Sequence, residues 1–115
     1  MSLHVPFSAA TANLIDAEAL ALMKHGAVLI NTARGGILDE VALVAALRAG
    51  RLGGAALDVF APEPLTAASG ARFKDVLNLV LTPHIAGLTH EANARVAAVT
   101  VANVLRVLDA RAQAG

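Results

Sequence analysis

The stretch AVLINTARGG, from Ala27 to Gly36, consists of four apolar residues followed directly by polar residues and two glycines. Because its apolar part does not alternate with polar residues, it indicates a strand covered on both faces, as strands of parallel sheets are. Two other segments have the same character, namely Ala55-Ala56-Leu57 continuing to Val59-Phe60, and Leu79-Val80-Leu81. A fourth candidate strand is Leu3-His4-Val5, which is stopped by Pro6. Together these segments predict one parallel sheet.

Helix signals separate the predicted strands. Asp16 is predicted to cap a helix over Ala17 to Lys24, and Asp39 a helix over Glu40 to Ala49. Thr89 is predicted to cap a final helix that runs to about Asp109. Gly26 and Gly50 are placed to end the first two helices. The resulting order, β-α-β-α-β-loop-β-α, is typical of a doubly wound α/β sheet with right-handed crossovers. The long loop, Ala61 to Asn78, is of a length that favours a functional role.

Composition limits the possible partners. The 115 residues include nine Lys+Arg and nine Asp+Glu, so the formal net charge is zero. This balance argues against a nucleic-acid partner, because phosphates are bound by a basic face. Hydrophobic residues make up 57% of the chain and charged residues only 16%. We therefore expect one domain with more apolar surface than a chain of this length readily buries.

The cellular location and the possible metal chemistry are also limited by the sequence. There is no cysteine, which excludes disulfides, thiolate catalysis and cysteine-ligated zinc. The most apolar stretch, Val96 to Leu105, is shorter than the roughly 20 residues that a membrane helix needs. No signal-peptide pattern opens the chain, and no His, Asp and Glu set has metal-ligand spacing. We expect a cytoplasmic protein with no metal and no membrane partner.

Polar side chains follow the predicted strands at the edge where open parallel sheets bind ligands. Arg34 follows the first long apolar run, Asp58 and Glu63 accompany the second, and His84 follows the third. Arginine suits a carboxylate or a polarised carbonyl, histidine moves protons, and an acid tunes the histidine. Taken singly, each could be an ordinary loop residue. Their convergence at one edge predicts a site.

Motif-like segments run along nearly the whole chain. They are Ser2 to Pro6, Met23 to Gly36, Gly54 to Phe60 with Glu63-Pro64-Leu65, and Thr82 to Gly87 with Thr89. In this order they resemble the D-isomer-specific 2-hydroxyacid dehydrogenases, the family of phosphoglycerate dehydrogenases and glyoxylate/hydroxypyruvate reductases. The resemblance implies an oxidoreductase with a Rossmann-type fold that acts on a small 2-oxo or 2-hydroxy acid, and a parent protein that is a homodimer.

The resemblance also implies a role for each site residue. Arg34 would contact the carboxylate and carbonyl oxygen of a 2-oxo acid, and His84 would be the acid/base. Glu63 would hydrogen-bond the imidazole and favour its charged form. Asp58 would bind the carboxamide of the NAD or NADP nicotinamide. The other implied cofactor-binding residues are His4, Val5, Pro6, Thr32, Ala33, Arg34, His84 and Gly87.

One family motif does not occur in the sequence. No Gly-x-Gly-x-x-Gly is present, although this fingerprint normally opens the cofactor domain. We therefore expect residues 1–115 to be the C-terminal portion of an NAD-binding domain that ends in a long helix. The first βαβ unit and the substrate domain would belong to a longer chain, and the isolated segment would be inactive. The alternative is a non-catalytic α/β scaffold, or a pseudoenzyme half-domain, that acts through association.

Overall fold

The computed structural model describes residues 1–112, which fall into two units, Met1–Ile85 and the residues from Ala86 onward. The first unit contains a four-stranded sheet in which every neighbouring pair is parallel and the strands follow chain order. The strands are β1 (Ser2–Leu3), β2 (Val28–Asn31), β3 (Gly54–Leu57) and β4 (Leu79–Leu81). The predicted parallel α/β sheet is confirmed, although β1, β2 and β3 begin one residue earlier or later than the apolar runs indicate.

The two helices between the first three strands begin at the predicted caps. They are α1 (Ala17–Leu22) and α2 (Glu40–Arg48). The Asp16 carboxylate accepts the Ala19 N–H at 2.9 Å, and the Asp39 carboxylate accepts two first-turn amides at 2.9 Å each. Helix α1 ends two residues before the predicted Lys24, because Met23 adopts extended backbone with ψ of 153°.

The connection from β3 to β4 is more ordered than a plain loop. It contains the short helix α3 (Ala67–Gly70) and a 3-10 turn over Ala71–Phe73. The Thr66 hydroxyl accepts the Ser69 N–H at 3.1 Å, and the Ser69 hydroxyl accepts the Thr66 N–H at 2.8 Å. This reciprocal capping box explains why helical turns form here, where the sequence analysis has only a connection.

Helices α1 and α2 cover one face of the sheet. Because β1 to β4 follow one another across the sheet, right-handed crossovers place both helices on the same side. Leu20 of α1 and Leu43 of α2 are buried in one core cluster with Leu29 and Leu57 of the strands. On the other face, the exposed fractions are 50% for Val28, 39% for Ile30 and 60% for Val80. This differs from the expectation that the strands are covered on both faces.

The second unit is mainly the helix α4 (His90–Ala112). The Thr89 hydroxyl accepts the Ala92 N–H at 3.0 Å, which confirms the predicted cap, and the helix continues three residues past Asp109. Within residues 1–112, no helix has both the length and the apolar character needed to span a membrane.

Candidate active site

The loop after β2 is organised by Asn31, the last residue of that strand. Asn31 is fully buried, and its Nδ2 donates to the Arg34 carbonyl at 3.0 Å while its Oδ1 accepts the Ala33 N–H at 3.1 Å. The exposed Arg34 side chain donates from Nη1 to the Ala33 carbonyl at 2.7 Å. No role for Asn31 is predicted from the sequence. The sequence does carry a signal for such a role, namely a polar residue at the end of an apolar strand. A buried side-chain amide at that place needs hydrogen-bond partners, which the following loop can supply.

Gly35 brings the loop after β2 against the loop after β3. A Cβ built on this buried glycine would lie 2.0 Å from the Phe60 carbonyl carbon and 2.6 Å from the Ala61 nitrogen. Only a residue without a side chain fits there. Arg34 and the segment that leads to Glu63 are therefore held side by side.

Glu63 and His84 form a hydrogen-bonded pair. His84 Nδ1 lies 2.8 Å from Glu63 Oε2, and the Phe60 N–H donates to Glu63 Oε1 at 2.8 Å. These two hydrogen bonds, the one from His84 first, lower the pKa of Glu63 from its ordinary value against the opposing effect of burial, and the Arg34 charge lowers it further. With Nδ1 engaged by the carboxylate, Nε2 is the ring nitrogen that can exchange a proton with a bound molecule.

The backbone at His84 is held in an unusual conformation by Asp58. His84 has a φ of +55°, in the left-handed region that non-glycine residues rarely adopt. Asp58 is 3% exposed, and its Oδ1 accepts the Thr82 hydroxyl at 2.5 Å and the Ile85 N–H at 2.9 Å. These bonds secure the chain on both sides of His84 and so compensate for the strain.

Two adjacent cavities are lined by Arg34, Glu63 and His84, whereas Asp58 lines neither. The larger has a volume of about 950 Å³ and the smaller about 440 Å³, and both are lined by Phe60 and Glu63. Of the predicted site residues, the larger cavity is lined by His4, Val5, Pro6, Thr32, Ala33, Arg34 and Glu63. His84 lines the smaller cavity. Gly87 belongs to the second unit, and its role in cofactor binding stays a prediction.

The arrangement combines a cation with a paired imidazole. Arg34 can bind an anionic carboxylate, and the Glu63–His84 pair can deliver or remove a proton nearby. Among residues 1–112, no three His, Asp or Glu side chains are grouped so that they could hold a metal ion. The chemistry available to the described residues is proton transfer next to a bound anion.

The sequence matches a known family over most of its length. Residues 1–86 match the family described as D-isomer specific 2-hydroxyacid dehydrogenase, NAD binding domain. The (S)-sulfolactate dehydrogenase of Chromohalobacter salexigens is 61% identical over 112 residues, which cover 97% of this chain and 36% of that protein. The D-3-phosphoglycerate dehydrogenase of Synechocystis is 51% identical over 106 residues, covering 92% of this chain and 18% of that protein. The chain thus spans about a third or less of these curated relatives.

Solved structures agree with the sequence matches. A D-lactate dehydrogenase of Aquifex aeolicus, solved with NAD and lactic acid, superposes with a TM-score of 0.82 at 34% identity, covering 95% of this chain and 37% of that one. A D-lactate dehydrogenase of Sporolactobacillus gives a TM-score of 0.81 at 38% identity, with coverage of 93% and 36%. The sheet and its helices therefore have close structural counterparts.

Proposed function

The chain belongs to the D-isomer-specific 2-hydroxyacid dehydrogenase family, and from that premise we propose that it forms part of an NAD(P)-dependent enzyme that interconverts a D-2-hydroxy acid and a 2-oxo acid. The observation that carries the proposal is the Glu63–His84 pair, 2.8 Å apart, beside the cavity lined by Arg34. We assign residues 1–115 to the C-terminal portion of the NAD-binding domain. A cytoplasmic homodimer without nucleic-acid or membrane partners is the proposed setting.

The larger cavity suits the nicotinamide end of the cofactor. The residues that line it include His4, Val5, Pro6 and Thr32, and the Thr32 hydroxyl is a neutral hydrogen-bonding group of the kind that binds an amide or a ribose. When bound, the reduced nicotinamide supplies a hydride. Asp58 is buried and is not among the residues that line either cavity. The family resemblance is therefore the ground for proposing that Asp58 accepts from the carboxamide, while its Oδ1 also holds the His84 loop. The sequence has no Gly-x-Gly-x-x-Gly to bind the pyrophosphate.

Proton transfer is the task of the Glu63–His84 pair. Arg34 binds the carboxylate of the 2-oxo acid and polarises its carbonyl. His84 then donates the Nε2 proton to the carbonyl oxygen as the carbonyl carbon is reduced, which gives the 2-hydroxy acid. Glu63 accepts from Nδ1 throughout, so that it stabilises the imidazolium before the transfer and fixes the ring afterwards. In the oxidation direction, His84 takes the proton back.

The experiment uses a chimera. The 115-residue chain replaces the matching segment of the C. salexigens (S)-sulfolactate dehydrogenase, to which it is 61% identical over 112 residues. The chimera is assayed for (S)-sulfolactate oxidation with NAD⁺ and with NADP⁺. We expect turnover, and we expect His84→Asn to reduce kcat at least about 100-fold. The exposed His25→Asn is the matched control and leaves kcat unchanged.

Two outcomes bear on the proposal directly. A folded chimera that binds NADH but is inactive with Arg34, Glu63 and His84 intact contradicts the proposed function and favours a scaffold. The 115-residue chain alone is titrated with NADH by fluorescence and assayed for glyoxylate and hydroxypyruvate reduction. Because the pyrophosphate motif is not in this sequence, we expect no turnover, and turnover would contradict the proposed inactivity of the isolated chain.

A further inference from the structure

A buried carboxylate at the start of α2 has no part in the proposed chemistry. Glu40 is only 4% exposed. Its Oε1 accepts the Ala61 N–H at 2.7 Å, and its Oε2 lies 3.0 Å from Arg72 Nη1. Burial raises the pKa of Glu40, while the Ala61 hydrogen bond and the Arg72 charge oppose that rise. The carboxylate therefore depends on these two partners.

Arg72 binds the carbonyl of the same residue, Ala61, in the next peptide group. Its Nη2 donates to the Ala61 carbonyl at 3.3 Å and its Nε to the Ser69 carbonyl at 2.7 Å. The guanidinium also lies 5.5 Å from the centre of the Phe73 ring. Glu40 and Arg72 thus fix both the N–H and the carbonyl of Ala61, although α2 and the 3-10 turn that carries Arg72 are far apart in sequence.

Ala61 lies in the segment that sets the position of Glu63. The residue before it, Phe60, donates its N–H to Glu63 Oε1 at 2.8 Å, and Glu63 Oε2 meets His84 at 2.8 Å. A buried ion pair contributes little to stability when compared with apolar residues of the same volume, because both charges lose their hydration. A positional role accounts better for such a pair beside the site than a stabilising one.

We propose that Glu40 and Arg72 are positioning residues, which hold the backbone at Ala61 so that the Glu63 carboxylate meets the His84 imidazole. The proposed function is needed only for the statement that the Glu63–His84 pair takes part in catalysis. The geometric claim concerns the chain itself, without cofactor or substrate.

The test is the titration of the Glu63 carboxyl, followed by its side-chain ¹³C resonance in the 115-residue chain. The charged groups that face Glu63 are His84, Arg34 and Glu40. In Glu40→Gln, loss of the neighbouring negative charge by itself would lower the pKa of Glu63 further. Loss of positioning would instead weaken the hydrogen bonds from His84 and Phe60 and raise that pKa. We expect a rise, and an unchanged or lower pKa overturns the proposal.

Two further variants make the test independent of folding and charge. Arg72→Lys keeps the positive charge but cannot reach Glu40, Ala61 and Ser69 at once, so we again expect the pKa of Glu63 to rise. If Glu40→Gln does not fold, this variant decides. Glu18→Gln removes an exposed carboxylate of α1 and leaves the pKa unchanged. A purely structural role for the pair would lower the urea midpoint without moving the Glu63 titration.

Discussion

Replacement of Gly35 by alanine tests whether the close approach of two loops builds the site. A Cβ at Gly35 would lie 2.0 Å from the carbonyl carbon and 2.1 Å from the carbonyl oxygen of Phe60. Ordinary contact begins at 3.4 Å, so the two backbones must separate by about 1.4 Å. The clashing atoms of Phe60 are backbone atoms and cannot move aside as the end of a flexible side chain could. The movement must therefore involve the loop of Arg34, the loop of Glu63, or both.

The expected effect is large in both stability and geometry. Overpacking in a well-packed region costs about 1–3 kcal/mol, and a backbone overlap should fall at the upper end, about 3 kcal/mol. A displacement of this size also loosens the Phe60–Glu63 hydrogen bond, which now measures 2.8 Å. We therefore expect the pKa of Glu63 to rise toward its ordinary value in Gly35→Ala.

The assay combines urea unfolding of the 115-residue chain with the amide spectrum of the folded variant. Gly36→Ala is the matched control, because the three atoms nearest to its Cβ belong to the side chain of Phe7, the first 2.6 Å away, and Phe7 is 54% exposed and can move aside. The predicted clash is refuted if the free energy of unfolding of Gly35→Ala is within about 0.5 kcal/mol of that of the parent and the amide resonances of Phe60 and Ala61 are unshifted.

Other substitutions have defined outcomes. Leu29→Ala, at a fully buried strand position, should cost about 2–5 kcal/mol in urea unfolding, and a loss below about 1 kcal/mol would contradict the assigned core. Asn31→Ala should speed hydrogen exchange of the Ala33 amide, and unchanged exchange would remove Asn31 as organiser of the Arg34 loop. Glu63→Gln should lose stability relative to the parent above pH 4.5, because the folded-state pKa of Glu63 lies below that value. The difference should vanish as the pH falls through the lowered pKa, and a difference that persists in acid would disprove the linkage.

The sequence predicts the local parts of this fold well. Caps such as Asp16 and Asp39 act on amides two or three residues away, so a short window is enough to find them. The strand ends are also predictable as a group, because parallel strands in chain order bring their carboxyl ends to one edge. The pairing of Glu63 with His84 follows from that topology together with the family resemblance.

Features that depend on tertiary contacts are the ones the sequence does not predict. Glu40 looks like an ordinary first-turn acid of a helix, and only the folded chain shows that it is buried against Ala61 and Arg72. The open face of β2 is a second example. Val28 belongs to an apolar run that predicts burial, yet it is half exposed, because coverage depends on which elements pack there.

The left-handed backbone of His84 determines how this residue can be probed by mutagenesis. With a φ of +55°, a substitution changes the backbone energy of the loop as well as the side chain. Asparagine tolerates this conformation better than most residues, whereas a β-branched residue is strained there. His84→Asn thus isolates the loss of the imidazole, whereas His84→Val would mix that loss with a rearranged loop. If a library of all residues at position 84 were selected for correct folding, small polar residues would be enriched. The reason would be the backbone conformation, not proton transfer.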